Sequence, residues 1–334
     1  MKKRISIVLG AAVSLGFLYL AFRNVDREIF LRSFSSADWR WFFPLAALVM
    51  ADLLIRGLKW TLLLAPLTRA GFYDCFRLQS IGLALNNVLP FRLGELARAA
   101  FAANLFRLPV LTVISTIVVE RVLDLLVIVG LFLAAAALGG MGDSVSQYAH
   151  FFWAGLGGVL LAVGALVFAE EVADSPLLRK LFRRLPALEK ALRQIAQGAR
   201  ALHRPRAAVS VVLLGFFQWS LNVLNMYFAA RAFGADDLLT FTRGVTLLFT
   251  GAAAVSVPGV PGYFGNMEYA LARVMSGWGL DMNVGVAMAG WMHIGVYAIQ
   301  TVTGLLFLYW MGQSLGQVWR DFSGRGAARA AGEK

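Results

Sequence analysis

The sequence predicts an all-α, polytopic membrane protein: about six full transmembrane helices plus two re-entrant helical hairpins, arranged as an inverted repeat. Three observations lead there. Hydrophobic residues make up 59% of the 334 residues and charged residues only 15%, well below the quarter or so typical of a soluble domain, and the mean hydropathy is +0.69. Apolar runs of roughly twenty residues recur, enough to cross a hydrocarbon core about 30 Å thick. Two further apolar stretches are broken by Pro and Gly, at NNVLPFRLGE (Asn86 to Glu95) and VPGVPGYFGNME (Val257 to Glu268). Long apolar runs exclude a transmembrane β-barrel, which shows short alternating strands. The composition also argues against a soluble enzyme, a secreted disulfide scaffold and a disordered chain.

The first run, Ile5 to Phe22, follows Met-Lys-Lys-Arg and precedes Arg-Asn-Val-Asp-Arg-Glu. No small-residue cleavage site follows it, so it reads as an uncleaved helix and not a signal peptide. Further spans are Trp41 to Ala65, Val110 to Leu138, Ala149 to Ala169, Ala207 to Phe233 and Asn283 to Met311. Loop charge orients them. Pro176 to Arg206 is strongly basic, from Arg179 and Lys180 to Arg204 and Arg206, against the single acid Glu189, whereas Gly139 to Ala149 holds no Lys or Arg. The positive-inside rule places the first in the cytoplasm and the second outside. Both termini, with Lys2, Lys3 and Arg4 at one end and Arg320, Arg325, Arg329 and Lys334 at the other, then lie in the cytoplasm of a cell (inner) membrane protein. The loop with Arg23, Arg27, Arg32 and Arg40 dissents, partly offset by Asp26, Glu28 and Asp38.

This orientation forces the two broken stretches. Trp41 to Ala65 ends inside and Val110 to Leu138 begins inside, so the stretch between them enters and returns on one face. Ala207 to Phe233 and Asn283 to Met311 impose the same on the outer face. Span, hairpin, span therefore occurs twice in opposite orientations, the pattern of inverted-repeat transporters with a mid-membrane site. Residues 1–316 form one transmembrane domain that includes a cytoplasmic amphipathic segment at 174–206; residues 317–334 form a cytoplasmic tail. In that segment Leu178, Leu181, Leu185, Leu188, Leu192, Ile195, Ala199 and Leu202 make an apolar stripe among basic residues, which suits short helices lying on an anionic inner leaflet. A coiled-coil partner is the alternative.

Cys75 is the only cysteine and the three histidines are scattered, so neither a disulfide nor a metal site is expected, and no cofactor motif is present. The net charge of +12 fits basic loops facing anionic lipid better than nucleic acid.

Ionisable groups at membrane depth cost roughly 2.5–3.5 kcal/mol each on insertion scales and usually face a cavity or a partner. Asp52, Arg56 and Lys59 share a face of the second span; Arg92, Glu95 and Arg98 crowd the first break; Glu120, Arg121 and Asp124 interrupt an aliphatic span; Glu268 and Arg273 follow the second break. Two readings are open: the charges pair and lock helices, with Lys59 and Arg273 snorkelling from span ends, or they line a polar cavity. The candidate cavity takes Arg56 from the second span, Asn86, Asn87, Pro90, Arg92, Gly94, Glu95 and Arg98 from the first hairpin, and Glu120, Arg121 and Asp124 from the next span. Pro258, Pro261, Gly262, Gly265 and Glu268 come from the second hairpin. Helix N-termini near Gly94 and Gly265 present free amides that suit an anionic headgroup. Gln218, Asn222, Asn225 and Gln300 read as interhelical glue.

LIRGLKWTLLLAP (Leu54 to Pro66), NNVLPFRLGELAR (Asn86 to Arg98), ERVLD (Glu120 to Asp124) and VPGVPGYFGNMEYA (Val257 to Ala270) resemble, in order and wording, the lysylphosphatidylglycerol synthase transmembrane region, a flippase-like family. The resemblance covers nearly the whole chain. It implies a lipid flippase: in the best-known members this region flips aminoacylated phosphatidylglycerol made by a separate cytoplasmic synthase domain. The short tail here leaves no room for that domain, so a stand-alone transporter is expected, with any lipid-synthesis enzyme encoded separately. The substrate would be a phospholipid, aminoacyl-phospholipid or polyprenyl-linked lipid. The alternative is a membrane-embedded enzyme or accessory subunit of lipid or glycan synthesis. Neither a catalytic constellation nor a DxD motif stands out, so transport is the expectation.

Overall fold

A computed structural model describes residues 26–89, 93–137, 149–175, 185–256 and 261–318, all of them helix, turn or irregular chain with no strand. The predicted first span, Pro90, Arg92, Pro258, Leu178, Leu181, the Gly139 loop and the tail beyond Val318 lie outside the described residues. The helices are α1 (Arg27–Ser35), α2 (Phe42–Leu64), α3 (Phe72–Val88), α4 (Leu93–Phe106), α5 (Val110–Ala137), α6 (Ala149–Val167), α7 (Ala169–Asp174), α8 (Pro186–Ala199), α9 (Pro205–Ala232), α10 (Phe241–Ser256), α11 (Asn266–Ser276) and α12 (Met282–Trp310). The chain is an integral, multi-pass membrane protein. Three helices among the described residues are long and apolar enough to cross a bilayer: Trp39–Leu64, Pro205–Ala232 and Met282–Trp310. Each lies within two residues of a span expected from the sequence.

The distribution of side chains is that of a protein in lipid. Lys59, Arg98 and Glu120 are buried, while Phe43, Leu161, Leu213, Phe217 and Tyr309 are exposed. Water would never select that arrangement, since buried charge and bare apolar surface both cost free energy there.

The broken stretches are pairs of short helices. At 1.5 Å per residue α3 is about 25 Å long, α4 about 21 Å, α10 about 24 Å and α11 about 17 Å, all short of the roughly 30 Å core. Each pair folds back on itself. A Cβ added at Gly94 would strike the carbonyl of Gly82 and the side chain of Asn86, so α3 and α4 run antiparallel in near backbone contact. Gly251 of α10 faces the side-chain ends of Met267 and Leu271 of α11 at ordinary contact distance, so α10 and α11 pack through side chains. The second break turns through the left-handed region, with φ of +79° at Gly262, +59° at Tyr263 and +91° at Gly265.

α12 is the spine for both hairpins. α3 packs along its second half and α11 along its first, and the short turn Pro261–Tyr263 touches α3 directly. α2 and α9 cross antiparallel, with Trp41 stacked on Phe228 at 5.5 Å near one end and Lys59 bonded to Gln218 towards the other. Neighbour relations in α2–α5 have counterparts in α9–α12: α2 touches α3, α5 and α12, and α9 touches α10, α12 and α5. Likewise α3 touches α4 and α12, and α10 touches α11 and α5.

Two elements add contacts that the sequence reading did not contain. The dissenting loop contains α1, capped by Asp26, which accepts from the amides of Glu28 and Ile29. The Asp26 amide donates to Asn283 Oδ1 at 2.8 Å, which fixes α1 against the start of α12. The described part of the amphipathic segment also packs against the helices. The end of α8 docks on α5, where Ser115 donates to the Ile195 carbonyl at 2.7 Å and Gly198 leaves no room for a side chain beside Ser115 and Thr112. The small residues Ala196, Gly198 and Ala199 permit that approach, while Leu185 and Leu188 stay exposed. Arg193 ties α8 to α7 through Asp174 at 2.9 Å, and its bonds to Asp174 and Glu189 hold the guanidinium further toward its charged form.

Gly94→Ala and Gly304→Ala, the latter facing the Ser80 carbonyl and Ala84, are expected to destabilise the purified protein by about 1–3 kcal/mol through overpacking. Gly157→Ala, with open space around it, should not. Thermal unfolding followed by tryptophan fluorescence in detergent measures the contrast.

A charge-balanced cluster beside a cavity between the two hairpins

The polar centre begins on one face of α2. Three helical positions four and three residues apart stack Asp52, Arg56 and Lys59. Arg56 Nε donates to Asp52 at 2.7 Å, and Asn222 of α9 donates to the other Asp52 oxygen at 3.1 Å. Lys59 forms an ion pair with Asp124 of α5 and donates to Gln218 Oε1 at 3.1 Å. Arg121, one helical turn from Asp124, bonds it at 3.3 Å and reaches Glu95 of α4 at 3.1 Å. Arg98 pairs with Glu120 at 3.1 Å and donates to Gln79 Oε1. Gln79 Nε2 donates in turn to Glu120 at 3.0 Å. The Arg98 guanidinium lies 4.5 Å from the centre of the Trp60 ring. In this cluster four acids, Asp52, Glu95, Glu120 and Asp124, match four bases, Arg56, Lys59, Arg98 and Arg121.

The pairs differ in what surrounds them. Arg98 and Glu120 side chains are 2% and 0% exposed, whereas Arg121 and Glu95 are 35% and 33% exposed. The exposed pair borders a cavity of about 320 Å³, a size at the lower end for small-ligand sites, about 300–1,000 Å³. Both hairpin tips bound it: Asn86, Asn87 and Glu95 from the first, Gly262, Tyr263 and Met267 from the second. Arg56, Arg121, Trp219, Asn222, Asn225, His293, Tyr297 and Gln300 complete its polar and aromatic wall, and Leu248, Val255, Met226 and Met292 belong to the apolar wall. Arg56, the α9 residues and the α12 residues sit in the middle turns of long helices, so the cavity lies at their mid-length.

On the second hairpin, Glu268 joins three elements. Its Oε2 accepts from the Gly265 amide at 2.7 Å, which satisfies an open donor at the start of α11. Its Oε1 shares a 2.6 Å hydrogen bond with His293 Nδ1 on α12, and Phe264 stacks on the imidazole at 4.6 Å. Two turns along α12, Thr301 accepts from Asn87 of the first hairpin at 2.9 Å. Both tips are thus fastened to one helix, about two turns apart.

Of the residues singled out from sequence, Arg56, Asn86, Asn87, Glu95, Arg121 and Gly262 border the cavity. Arg98, Glu120 and Asp124 stand behind it as buried partners. Glu268 reaches it through His293. Gly94 serves the approach of α3 and α4, Gly265 and Pro261 belong to the turn before α11, and Pro90, Arg92 and Pro258 lie outside the described residues. Lys59 does not snorkel: it is 1% exposed and fully engaged. Arg273 is exposed. Gln218 is glue, but Asn222, Asn225 and Gln300 also face the cavity. His293, Gln79 and Tyr297 were not anticipated. His293 had a legible signal, because a titratable ring within an apolar 29-residue helix needs a partner as much as any carboxylate does. Gln79 had none beyond its polarity.

The family described as lysylphosphatidylglycerol synthase TM region matches residues 7–304. The chain is similar to a UPF0104 membrane protein of Methanothermobacter thermautotrophicus, with 24% identity over 294 residues that cover 83% of this chain and 85% of the relative. It is also similar to a UPF0104 membrane protein of Methanocaldococcus jannaschii, with 21% identity over 226 residues that cover 67% and 93% of the two chains. No solved structure matches it.

Removing one member of a buried pair leaves an uncompensated charge, at a cost of about 3–5 kcal/mol. Lys59→Met and Asp124→Leu alone are therefore expected to lower the thermal midpoint strongly, and the double variant to recover part of the loss. Glu95→Gln, at the solvated pair, should cost under about 1 kcal/mol. Equal losses for Lys59→Met and Glu95→Gln would contradict the division into buried and cavity-facing pairs.

Proposed function

Because the chain belongs to the lysylphosphatidylglycerol synthase transmembrane-region family, we propose that it carries a polar-headgroup lipid between the leaflets of the cell membrane. The observation that supports this reading most is the cavity bounded by both hairpin tips, whose lining mixes charged and carboxamide side chains with apolar ones. A lipid needs that combination. Its acyl chains stay in hydrocarbon throughout, so only the headgroup requires a path, and the path must replace lost water with fixed donors and acceptors. Arg56 and Arg121 meet an anionic phosphate, and Glu95 with the amides of Asn86 and Asn225 meets hydroxyl or ammonium groups.

The matched contacts of α2–α5 and α9–α12 support reading the two halves as an inverted repeat with re-entrant hairpins, and the antiparallel crossing of α2 and α9 is what opposite orientations require. Rocking of one half on the other would open the cavity to alternate faces. The half-exposed Arg121–Glu95 pair bridges α5 and α4 at the cavity wall and exchanges partners with an entering headgroup, while the buried pairs hold the helices. In this reading both termini and α8 face the cytoplasm, and the protein binds without chemistry.

Protein reconstituted in vesicles with a fluorescent phosphatidylglycerol is expected to move the probe between leaflets, and Arg121→Gln or Glu95→Gln to slow this at least tenfold with little change in thermal stability. Vesicles that move no lipid of any class would remove transport as an intrinsic activity. In cells, a variant that folds while total lipid synthesis collapses would favour an enzyme or a synthesis subunit. A cysteine at Asp236 should label from outside in intact cells and one at Arg193 only after permeabilisation; the reverse result would invert the topology.

A further inference from the structure

We propose that His293 and Glu268 form a proton-binding site of the cavity, which takes up one proton together with an anionic lipid headgroup. This deepens the transport reading and rests on it for the ligand. The pair stands apart from the balanced cluster. Asp52, Glu95, Glu120 and Asp124 are matched one for one by Arg56, Lys59, Arg98 and Arg121. Glu268 is a further buried acid whose charged or chargeable partner among the described residues is His293. With a neutral imidazole, these groups, counted among the described residues, carry one net negative charge. An anionic headgroup entering beside it raises that to two in a medium where charge is poorly solvated. A proton on the pair removes half of it.

The chemistry of the pair suits that role. Histidine is the side chain whose ordinary titration falls near neutrality. Nδ1 is committed to Glu268, which leaves Nε2 as the second proton position on the ring, and His293 borders the cavity. The charges brought by surrounding helices do not substitute. α2 contributes Arg56, already on Asp52, with Lys59 on Asp124; α4 and α5 contribute Glu95 and Arg121, on each other. α3, α9 and α10 line the cavity with carboxamides, Trp219 and apolar side chains, and the break adds the phenol of Tyr263. The proton comes from water on the face where the headgroup enters and returns to water where it leaves; no bond of the lipid changes.

The pair also touches the moving part. The same carboxylate that holds His293 caps the Gly265 amide, so a proton that strengthens Glu268's bond to α12 weakens its hold on the turn before α11. Headgroup, proton and hairpin position are then linked, and linkage is reciprocal: whatever the proton does for headgroup affinity, the headgroup does for the proton.

Calorimetric titration of the full-length protein in detergent with dihexanoylphosphatidylglycerol, in two buffers of different ionisation enthalpy, tests this. One proton taken up per lipid bound is expected, with affinity falling about tenfold per pH unit over the range where uptake is complete. Dihexanoylphosphatidylcholine, which brings no net charge, should bring little or no uptake. His293→Gln, which retains a donor for Glu268 but cannot accept a proton, should bind the anionic probe with no uptake and a flat pH dependence. Absence of uptake in the wild type, equal uptake with both probes, uptake unchanged in a folded His293→Gln variant, or failure of the anionic probe to bind would each overturn the proposal. The comparison of probes uses wild-type protein alone, so it decides even if the variant does not fold. Vesicles that fail to move lipid while the proton count holds would defeat transport and leave the proton site standing.

Discussion

An ammonium group cannot rest in hydrocarbon unless its counter-charge arrives with it, and the placement of Lys59 governs the rest of this molecule. Its Nζ is met by Asp124 from α5 and Gln218 from α9, so three helices far apart in sequence must cross where those atoms meet. Asp124 then orients Arg121, Arg121 reaches Glu95 at the start of α4, and the hairpin tip is drawn against the span behind it. Attraction between apolar helix faces is weak in lipid, where tails are as apolar as leucine. Ionic complementarity supplies the register that a hydrophobic core supplies in water.

Close packing supplies the second constraint. Gly94 against Gly82, and Gly304 against Ser80, let α3 lie between α4 and α12 at backbone distance. No side chain separates them, so the carboxamides at the tip of α3 are set by the backbone and not by flexible stems. Rigid placement of Asn86 and Asn87 is what allows a modest cavity to hold defined donors and acceptors.

Three of the spans, Trp41 to Ala65, Ala207 to Phe233 and Asn283 to Met311, the helix breaks and the depth of the charges were legible because each follows from a local rule: run length, Pro and Gly, and the scarcity of ions in apolar sequence. Partner identity was not legible, because it depends on which helices cross. Lys59 near the end of a predicted span looked able to reach water; only the crossing of α5 and α9 shows why it does not. Arg98, Glu120 and Asp124 read as cavity groups because sequence shows that a charge is deep, not whether its partner shields it. His293 carried a signal as a titratable ring in an apolar helix, but its partner, Glu268, 25 residues away, was not legible. α1 was hidden in a charged loop, since its anchor, Asn283, lies 257 residues from Asp26.

Tyr263 gives the second hairpin a character of its own. A non-glycine residue at φ +59° sits in a region that costs an L-amino acid about 1–2 kcal/mol, and here it follows Gly262, with Gly265 two residues further on, both of which accept such angles freely. The turn is held in place from outside, by Glu268 on the Gly265 amide and by Phe264 wedged against His293 and Tyr297. The shape of the second break is therefore tied to the α12 surface, and any shift of α12 against α11 must be felt at the tyrosine's backbone.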